Sequence, residues 1–263
     1  MVHIAILVDA QDYGIGQWQG HLSHLNGRLV EETPGKIYCG TENGIFYFNK
    51  ADNSINTLST VDGLSSTDPS ALKYHESKGR LVIGYADGNI DILHKDEITN
   101  QPAIANNATI LGGKRINDIY FFKDEAFLAT QFGIVVYDLE KGDFTKSYRS
   151  IGPGGSKVEV FDVAILDSEI FASTTAGMLK ADLGPSTNLS DFNNWDLVRT
   201  KNTGQMTSFN DQVYAVIGSE IEVYNGKDWM EYGDSLARNK KPFTPLIRKA
   251  RQQFMIKHFP MML

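Results

Sequence analysis

The sequence predicts an all-β protein whose strands form the four-stranded antiparallel blades of a β-propeller. Three observations predict this fold class: a pattern that returns every 44 to 45 residues, β-branched and aromatic residues that alternate with polar ones, and glycines at the turns. Helical repeat arrays have similar repeat lengths, but no segment here keeps a helical period of 3.6 residues. The propeller is therefore favoured over a helical solenoid.

Each repeat contains one hairpin with a glycine at its turn. The hairpins span residues 36–49, 80–93, 126–138 and 169–182, and a weaker fifth copy at 212–226 has Ser219 and Glu220 at the glycine position. The glycine supplies the positive φ that a tight turn requires. The turn glycines of the first four copies are 44, 45 and 44 residues apart: Gly44, Gly88, Gly133 and Gly177.

A further strand is predicted on each side of these hairpins. Apolar inner strands are expected at 28–32, 71–75, 116–122, 158–166 and 205–209, and more polar outer strands at 55–59, 143–148, 195–199 and 229–232. Alternation predicts that Ile37, Cys39, Ile45 and Tyr47 point to one face of the first sheet. Four antiparallel strands in about 44 residues are typical of a propeller blade.

The five visible repeats indicate a truncated seven-bladed propeller. Residues 17–23, which begin near Trp18, have the pattern of an outer strand supplied from the N-terminal side to close a ring. The fifth repeat already has an outer strand at 229–232, so this strand lacks a partner blade. Open blade edges would then favour self-association.

The sequence is divided into three parts, and a change of charge marks the last of them. Residues 1–10 are interpreted as a remnant of a signal peptide or a disordered segment, and residues 11–235 as the propeller blades. Residues 1–233 carry 18 Lys and Arg against 31 Asp and Glu, whereas residues 234–263 carry 7 against 1. The basic tail at 236–263 is interpreted either as non-native or as an amphipathic helix over 247–259 that meets an anionic surface.

Composition excludes several classes of function. The net charge of −7 argues against a nucleic-acid partner. Cys39 is the only cysteine, so no internal disulfide or cysteine-rich metal site is predicted. No apolar run approaches 18 residues, so no transmembrane segment is predicted. His21 and His24 would lie on opposite faces of a strand, and no metal or other cofactor is expected.

No catalytic motif is present, and the sequence predicts a protein that is not an enzyme. Residues 152–157 and 111–115 are glycine-rich and basic, but they lack the spacing of a phosphate-binding loop and are interpreted as turns between blades. Asp118 and Asp162 lie in predicted inner strands and are interpreted as solvated channel lining. No catalytic or metal residue is predicted, and the ligand-binding residues remain unknown.

The three tryptophans are expected to start outer strands. Trp18, Trp195 and Trp229 each lie at the start of such a strand, where an aromatic ring can cover the neighbouring blade. Stacking against a glycan is the alternative role.

Five stretches resemble a known family. They are residues 18–24, 83–93, 110–121, 129–144 and 188–195, and they resemble the N-terminal propeller of PorZ-type proteins of the Bacteroidetes type IX secretion system. The resemblance covers roughly residues 11–233. It implies a non-enzymatic scaffold in the periplasm or at the outer-membrane surface, which contacts envelope proteins of an attachment complex and anionic lipopolysaccharide.

A related family supplies the alternative function. Propeller repeats of the two-component-regulator type also form the extracytoplasmic, glycan-sensing part of hybrid histidine kinases. Those repeats usually carry an aromatic residue in the second strand, within a Leu-Trp-Ile-Gly-Thr-like run. The equivalent segments here lack a tryptophan, which favours the secretion-system family: residues 37–41, 81–85 and 127–131.

Overall fold

The computed structural model describes residues 26–200 and 203–232, which form five four-stranded antiparallel sheets. Each sheet is a meander in which consecutive strands pair, as the sequence predicts. The predicted strand at 17–23, Trp18, His21, His24 and the basic tail lie outside the described residues. The described residues divide into two units, residues 26–85 with 89–103, and residues 86–88 with 104–200 and 203–232.

The first unit contains the first two sheets. Their strands are β1 (Leu29–Glu32), β2 (Lys36–Thr41), β3 (Gly44–Asn49), β4 (Ile55–Leu58), β5 (Pro69–His75), β6 (Arg80–Tyr85), β7 (Ile90–His94) and β8 (Glu97–Gln101). β8 was not predicted, because Ile98 is the only large apolar residue among its five.

The core of the first unit corrects one prediction about which residues share a face. Tyr38 pairs with Tyr47 across β2 and β3, so Ile45 and Tyr47 lie on the face opposite Ile37 and Cys39. Tyr38, Ile45 and Tyr47 pack against apolar residues of the second sheet, including Leu72, Leu81, Ile83 and Tyr85.

The second unit contains the remaining three sheets. Their strands are β9 (Ile116–Phe122), β10 (Glu125–Thr130), β11 (Gly133–Asp138), β12 (Asp143–Tyr148), β13 (Val160–Leu166), β14 (Glu169–Thr174), β15 (Gly177–Asp182), β16 (Asp196–Arg199), β17 (Thr203–Phe209), β18 (Gln212–Ile217), β19 (Glu220–Tyr224) and β20 (Trp229–Glu231). One apolar cluster joins the third and fourth sheets, and another joins the fourth and fifth.

A buried threonine closes the central hairpin in three of the sheets. The Thr130 hydroxyl donates to the carbonyl oxygen of Gly133 (2.8 Å) and accepts from the amide of Phe132 (3.2 Å). Thr41 and Thr174 make the same two contacts in the first and fourth sheets. Each hairpin therefore satisfies its buried polar groups internally.

The hairpin glycines are required by backbone geometry. Gly133 has φ 127° and Gly177 has φ 115°. A Cβ at Gly133 would overlap the carbonyl oxygen of Tyr148, and one at Gly177 would overlap that of Arg199. In the fifth sheet, where Glu220 stands at this position, Gly218 takes the positive φ of 66° instead.

The inner strands of four sheets share an irregularity that the sequence did not predict. In β5, β9, β13 and β17 the register with the second strand shifts near the start of the inner strand. Such a bulge places two residues of the inner strand opposite one residue of the second strand, and it changes the direction in which the adjacent side chains point.

Candidate functional site

The bulges bring Asp118 and Asp162 to equivalent positions in neighbouring inner strands. Asp118 pairs with Ala129 and Asp162 with Ser173, in each case directly after the register shift. The charge of Asp118 acts on the Asp162 carboxyl group, so the two side chains lie close together.

Asp162 is buried, with 7% of its surface exposed. Its Oδ1 accepts from the Val163 amide and its Oδ2 from the Met206 amide, both at 2.7 Å. Burial and the charge of Asp118 raise the pKa of Asp162 well above 3.8, against the opposing effect of the two amides. The interpretation of Asp162 as solvated channel lining was therefore wrong, because the inner strand of the fifth sheet covers its carboxylate.

A second polar contact joins the same three inner strands. The Tyr120 hydroxyl donates to the carbonyl oxygen of Ile165 (3.1 Å) and lies 2.6 Å from Ser208 Oγ. Tyr120, Ile165 and Ser208 belong to the third, fourth and fifth sheets. Together with the Asp118–Asp162 pair, this contact links the sheets of the second unit, so these groups act within the scaffold.

The two opposite ends of each sheet carry different turns and connections. In an antiparallel meander, the central hairpin and the connection to the next sheet lie at one end, which we call the loop face. The first and third turns lie at the other end, the turn face. Residues 104–115 and 149–159 therefore belong to the loop face of the second unit.

Five residues of this loop face form what we call the basic loop surface: Leu111, Arg115, Arg149, Lys157 and Phe161. Gln131 holds the first loop against the third sheet. Its side-chain Oε1 accepts from the backbone amide of Arg115, and its backbone amide donates to the Arg115 carbonyl oxygen, both at 3.1 Å. The Arg149 guanidinium lies 5.5 Å from the centre of the Phe132 ring. Asn117, two residues after Arg115 in β9, donates from Nδ2 to Glu159 Oε1 (3.0 Å), which connects the start of β9 to the second loop.

The structure tests the prediction that residues 152–157 form a turn between sheets. Residues 153–155 form a 3₁₀ turn enclosed by a bridge between Gly152 and Ser156, so the interpretation as a turn between sheets is confirmed. The sequence did not indicate that β9 is joined to the second loop, because Asn117 and Glu159 are 42 residues apart.

The two described tryptophans act as covers between sheets. Trp195 is buried in the cluster between the third and fourth sheets, and its Nε1 donates to the carbonyl oxygen of Leu189 (3.0 Å). The Trp229 ring packs against Phe171 of the fourth sheet (5.8 Å between centres), and Arg199 stacks over it (5.4 Å). Neither ring offers an open platform for a glycan.

The first unit contains a cavity of about 200 Å³, lined in part by Tyr38, Tyr74, Leu81 and Leu93. Burial raises the pKa of the Tyr38 hydroxyl above its ordinary range, so this group stays neutral. Lys36 also lines the cavity, but its ammonium group already pairs with Asp96 (3.3 Å). Lys95 also lines the cavity and is its second positively charged residue.

Within residues 26–200 and 203–232, no three His, Cys, Asp or Glu side chains are grouped so that they could hold a metal ion. The same part of the chain forms no helix that is long and apolar enough to cross a membrane.

Comparison with known families identifies one match. Residues 37–196 match the family described as the N-terminal β-propeller domain of PorZ of the type IX secretion system. No curated protein matches the sequence.

Solved structures show the same fold. PorZ of Porphyromonas gingivalis, described as an essential bacterial surface component of the type IX secretion system, superposes with a TM-score of 0.66 at 24% identity, over 77% of this chain and 27% of that one. An extracellular domain from B. thetaiotaomicron, assigned to a hybrid two-component system, gives 0.58 at 16% identity, over 81% and 29%. The chain thus spans less than a third of either structure, and the shared part is the β-propeller fold.

Proposed function

Because the chain belongs to the family of PorZ N-terminal β-propeller domains, we propose that it is a non-enzymatic binding module of a type IX secretion assembly outside the cytoplasm. The family match over residues 37–196 carries this proposal. The inner-strand contacts of the second unit also support it, because the polar atoms of Tyr120 and Asp162 form hydrogen bonds between neighbouring sheets.

Proteins of the cell envelope are the partners that this function requires. A propeller presents loops from several sheets on one face, which suits recognition of a folded partner. Anionic lipopolysaccharide, which the family resemblance implies, is a further partner within the same proposal. The covered rings of Trp195 and Trp229 make the glycan-sensing alternative less suited to the described residues.

The test is co-isolation from a Bacteroidetes host that has a type IX secretion system. The tagged full chain is expressed with a secretion signal, cross-linked in intact cells, and its partners are identified by mass spectrometry. Envelope proteins of the secretion assembly should be enriched over a tagged, unrelated β-propeller treated identically. Enrichment equal to that control, or steady hydrolysis of a polysaccharide by the purified chain, would contradict the proposal.

A further inference from the structure

We infer that the basic loop surface of the second unit binds an acidic peptide segment that carries a large apolar side chain. This inference rests on the proposed function as a protein-binding module, and it adds the chemistry of the partner and the residues that select it.

Leu111 is the first reason for this inference. It is 86% exposed, although it is a large aliphatic residue. A Cβ at Gly113 would overlap the Gln131 side chain, so the loop lies tightly against the third sheet and Leu111 points away from it. Phe161, at the bulge of β13, is a second exposed apolar residue (39%). A single exposed leucine is ordinary. Leu111 and Phe161 each lie four residues in sequence from a basic residue of the loops, Arg115 and Lys157, so each combines apolar area with nearby positive charge.

Positive charge is the second reason. The chain carries a net −7, yet its two loop segments here hold four basic residues and one acidic residue: Lys114, Arg115, Arg149, Lys157 and Glu159. Lys114 donates to the carbonyl oxygen of Ala105 and lies beside the turn that contains Asp87, so we assign it no role. Glu159 is engaged by Asn117. Arg115, Arg149 and Lys157 remain as the positive groups of the surface.

The turn face of the same unit has the opposite charge. Its turns, at 123–124, 139–142, 167–168, 183–195, 210–211 and 225–228, hold six acidic and three basic residues: Asp124, Glu140, Asp167, Asp191, Asp211 and Asp228, with Lys123, Lys141 and Lys227. An acidic partner would be repelled there and attracted to the basic loop surface, so charge selects one face.

The apolar residues favour a peptide over an anionic glycan. A glycan stacks on flat aromatic rings, whereas the most exposed apolar side chain of this surface is the branched, aliphatic Leu111. An exposed aliphatic side chain in the same loop as Arg115 suits a peptide in which carboxylates flank a leucine, isoleucine or phenylalanine.

The experiment selects peptides directly. A phage library of random 12-residue peptides is panned on the immobilised full chain, with counter-selection on the folded Arg115→Glu/Lys157→Glu variant. Enriched sequences should combine Asp or Glu with an adjacent large apolar residue. The corresponding synthetic peptides are then measured by fluorescence anisotropy, and their affinity should fall as salt is raised.

Matched variants assign the binding to the surface. Arg115→Glu/Lys157→Glu should weaken binding about tenfold or more, because it replaces attraction with repulsion. Leu111→Ser should weaken binding about threefold or more through lost apolar burial. Lys123→Glu/Lys227→Glu makes the same charge change on the turn face and should stay within about twofold, since rim charges far from a site contribute little. Circular dichroism and thermal melting establish that each variant is folded.

Three outcomes overturn the inference: no acidic enrichment, equal binding by the loop-face and turn-face variants, or selection of no peptide while an anionic polysaccharide binds. If the loop-face variant still co-isolates envelope proteins as the wild type does, the proposed function stands and this assignment fails. If neither protein co-isolates them, the proposed function fails.

Discussion

The charge of Asp118 adds to the pH dependence that the buried Asp162 gives to stability, and a single substitution should remove that addition. Asp118→Asn replaces the carboxyl group with a neutral amide of similar size, whose nitrogen can donate a hydrogen bond to the Asp162 carboxylate. The substitution therefore removes the repulsion between two negative charges, while the burial that also raises the pKa of Asp162 remains. Asp162→Asn differs, because it replaces one of two oxygens that accept backbone amides with a donor.

The sign of the pH effect follows from the raised pKa of Asp162. Between 3.8 and its folded-state pKa, the folded protein keeps a proton that the unfolded chain releases. The contribution of this group is complete below pH 3.8 and is lost as pH rises through that window, with a slope of up to about 1.4 kcal/mol per pH unit. Asp118→Asn should match the wild type near pH 4 and exceed its stability at higher pH.

Asp162→Asn should be destabilised across the pH range. It leaves a buried amide of Val163 or Met206 without its acceptor, which costs about 1–3 kcal/mol. For a chain of this size that corresponds to a fall in Tm of about 2–12 °C.

Urea unfolding followed by tryptophan fluorescence from pH 4 to pH 9 measures both effects. The decisive quantity is the difference between wild type and Asp118→Asn at each pH, because other carboxyl groups titrate equally in both proteins. A difference that stays constant with pH, or one in which the wild type gains on the variant as pH rises, would refute the reasoning.

Three further predictions concern the hairpins and the single thiol. Gly133→Ala should destabilise the protein by more than about 1 kcal/mol, because alanine is strained at this φ and its Cβ would overlap the Tyr148 carbonyl; Gly154→Ala, with open space around it, should cost less in the same urea titration. Thr130→Val should cost about 1–3 kcal/mol by leaving the hairpin carbonyl and amide unpaired, and unchanged urea midpoints would contradict this. Burial raises the pKa of Cys39 to about 11, so at pH 8 only about one thiol in a thousand is ionised; iodoacetamide labelling should be slow until urea unfolds the chain.

The repeat made the architecture predictable from sequence, because each copy carries the same local physics. Strand alternation and the turn glycine recur in four hairpins, so an ambiguous copy such as the fifth could be placed by its spacing. β8 was missed because its sequence, Glu97–Gln101, contains one large apolar residue and takes its strand conformation from pairing with β7. The inner-strand bulges have no local sequence signature, and their positions depend on register with the next strand.

The candidate sites were less predictable because they depend on contacts between distant segments. Asp162 is buried by the inner strand of the fifth sheet, through an amide 44 residues away. The alternation of residues in β13 says which face Asp162 occupies but not what covers that face. Likewise, the positive charges of Arg115 and Lys157 are visible in the sequence, whereas the Asn117–Glu159 contact that joins β9 to the second loop is not.

The hairpins of this fold serve its stability, whereas the loops between sheets can determine which partner it binds. Thr41, Thr130 and Thr174 make the same contacts in three sheets, so these positions serve the fold and cannot distinguish one partner from another. Selectivity must come from positions where the copies differ. The loop between the first and second sheets, residues 59–68, contains two acidic residues and no basic one, whereas the corresponding loops at 102–115 and 149–159 contain four basic residues and one acidic residue. That difference between copies, set on a common scaffold, is what gives the second unit a face suited to a negatively charged partner.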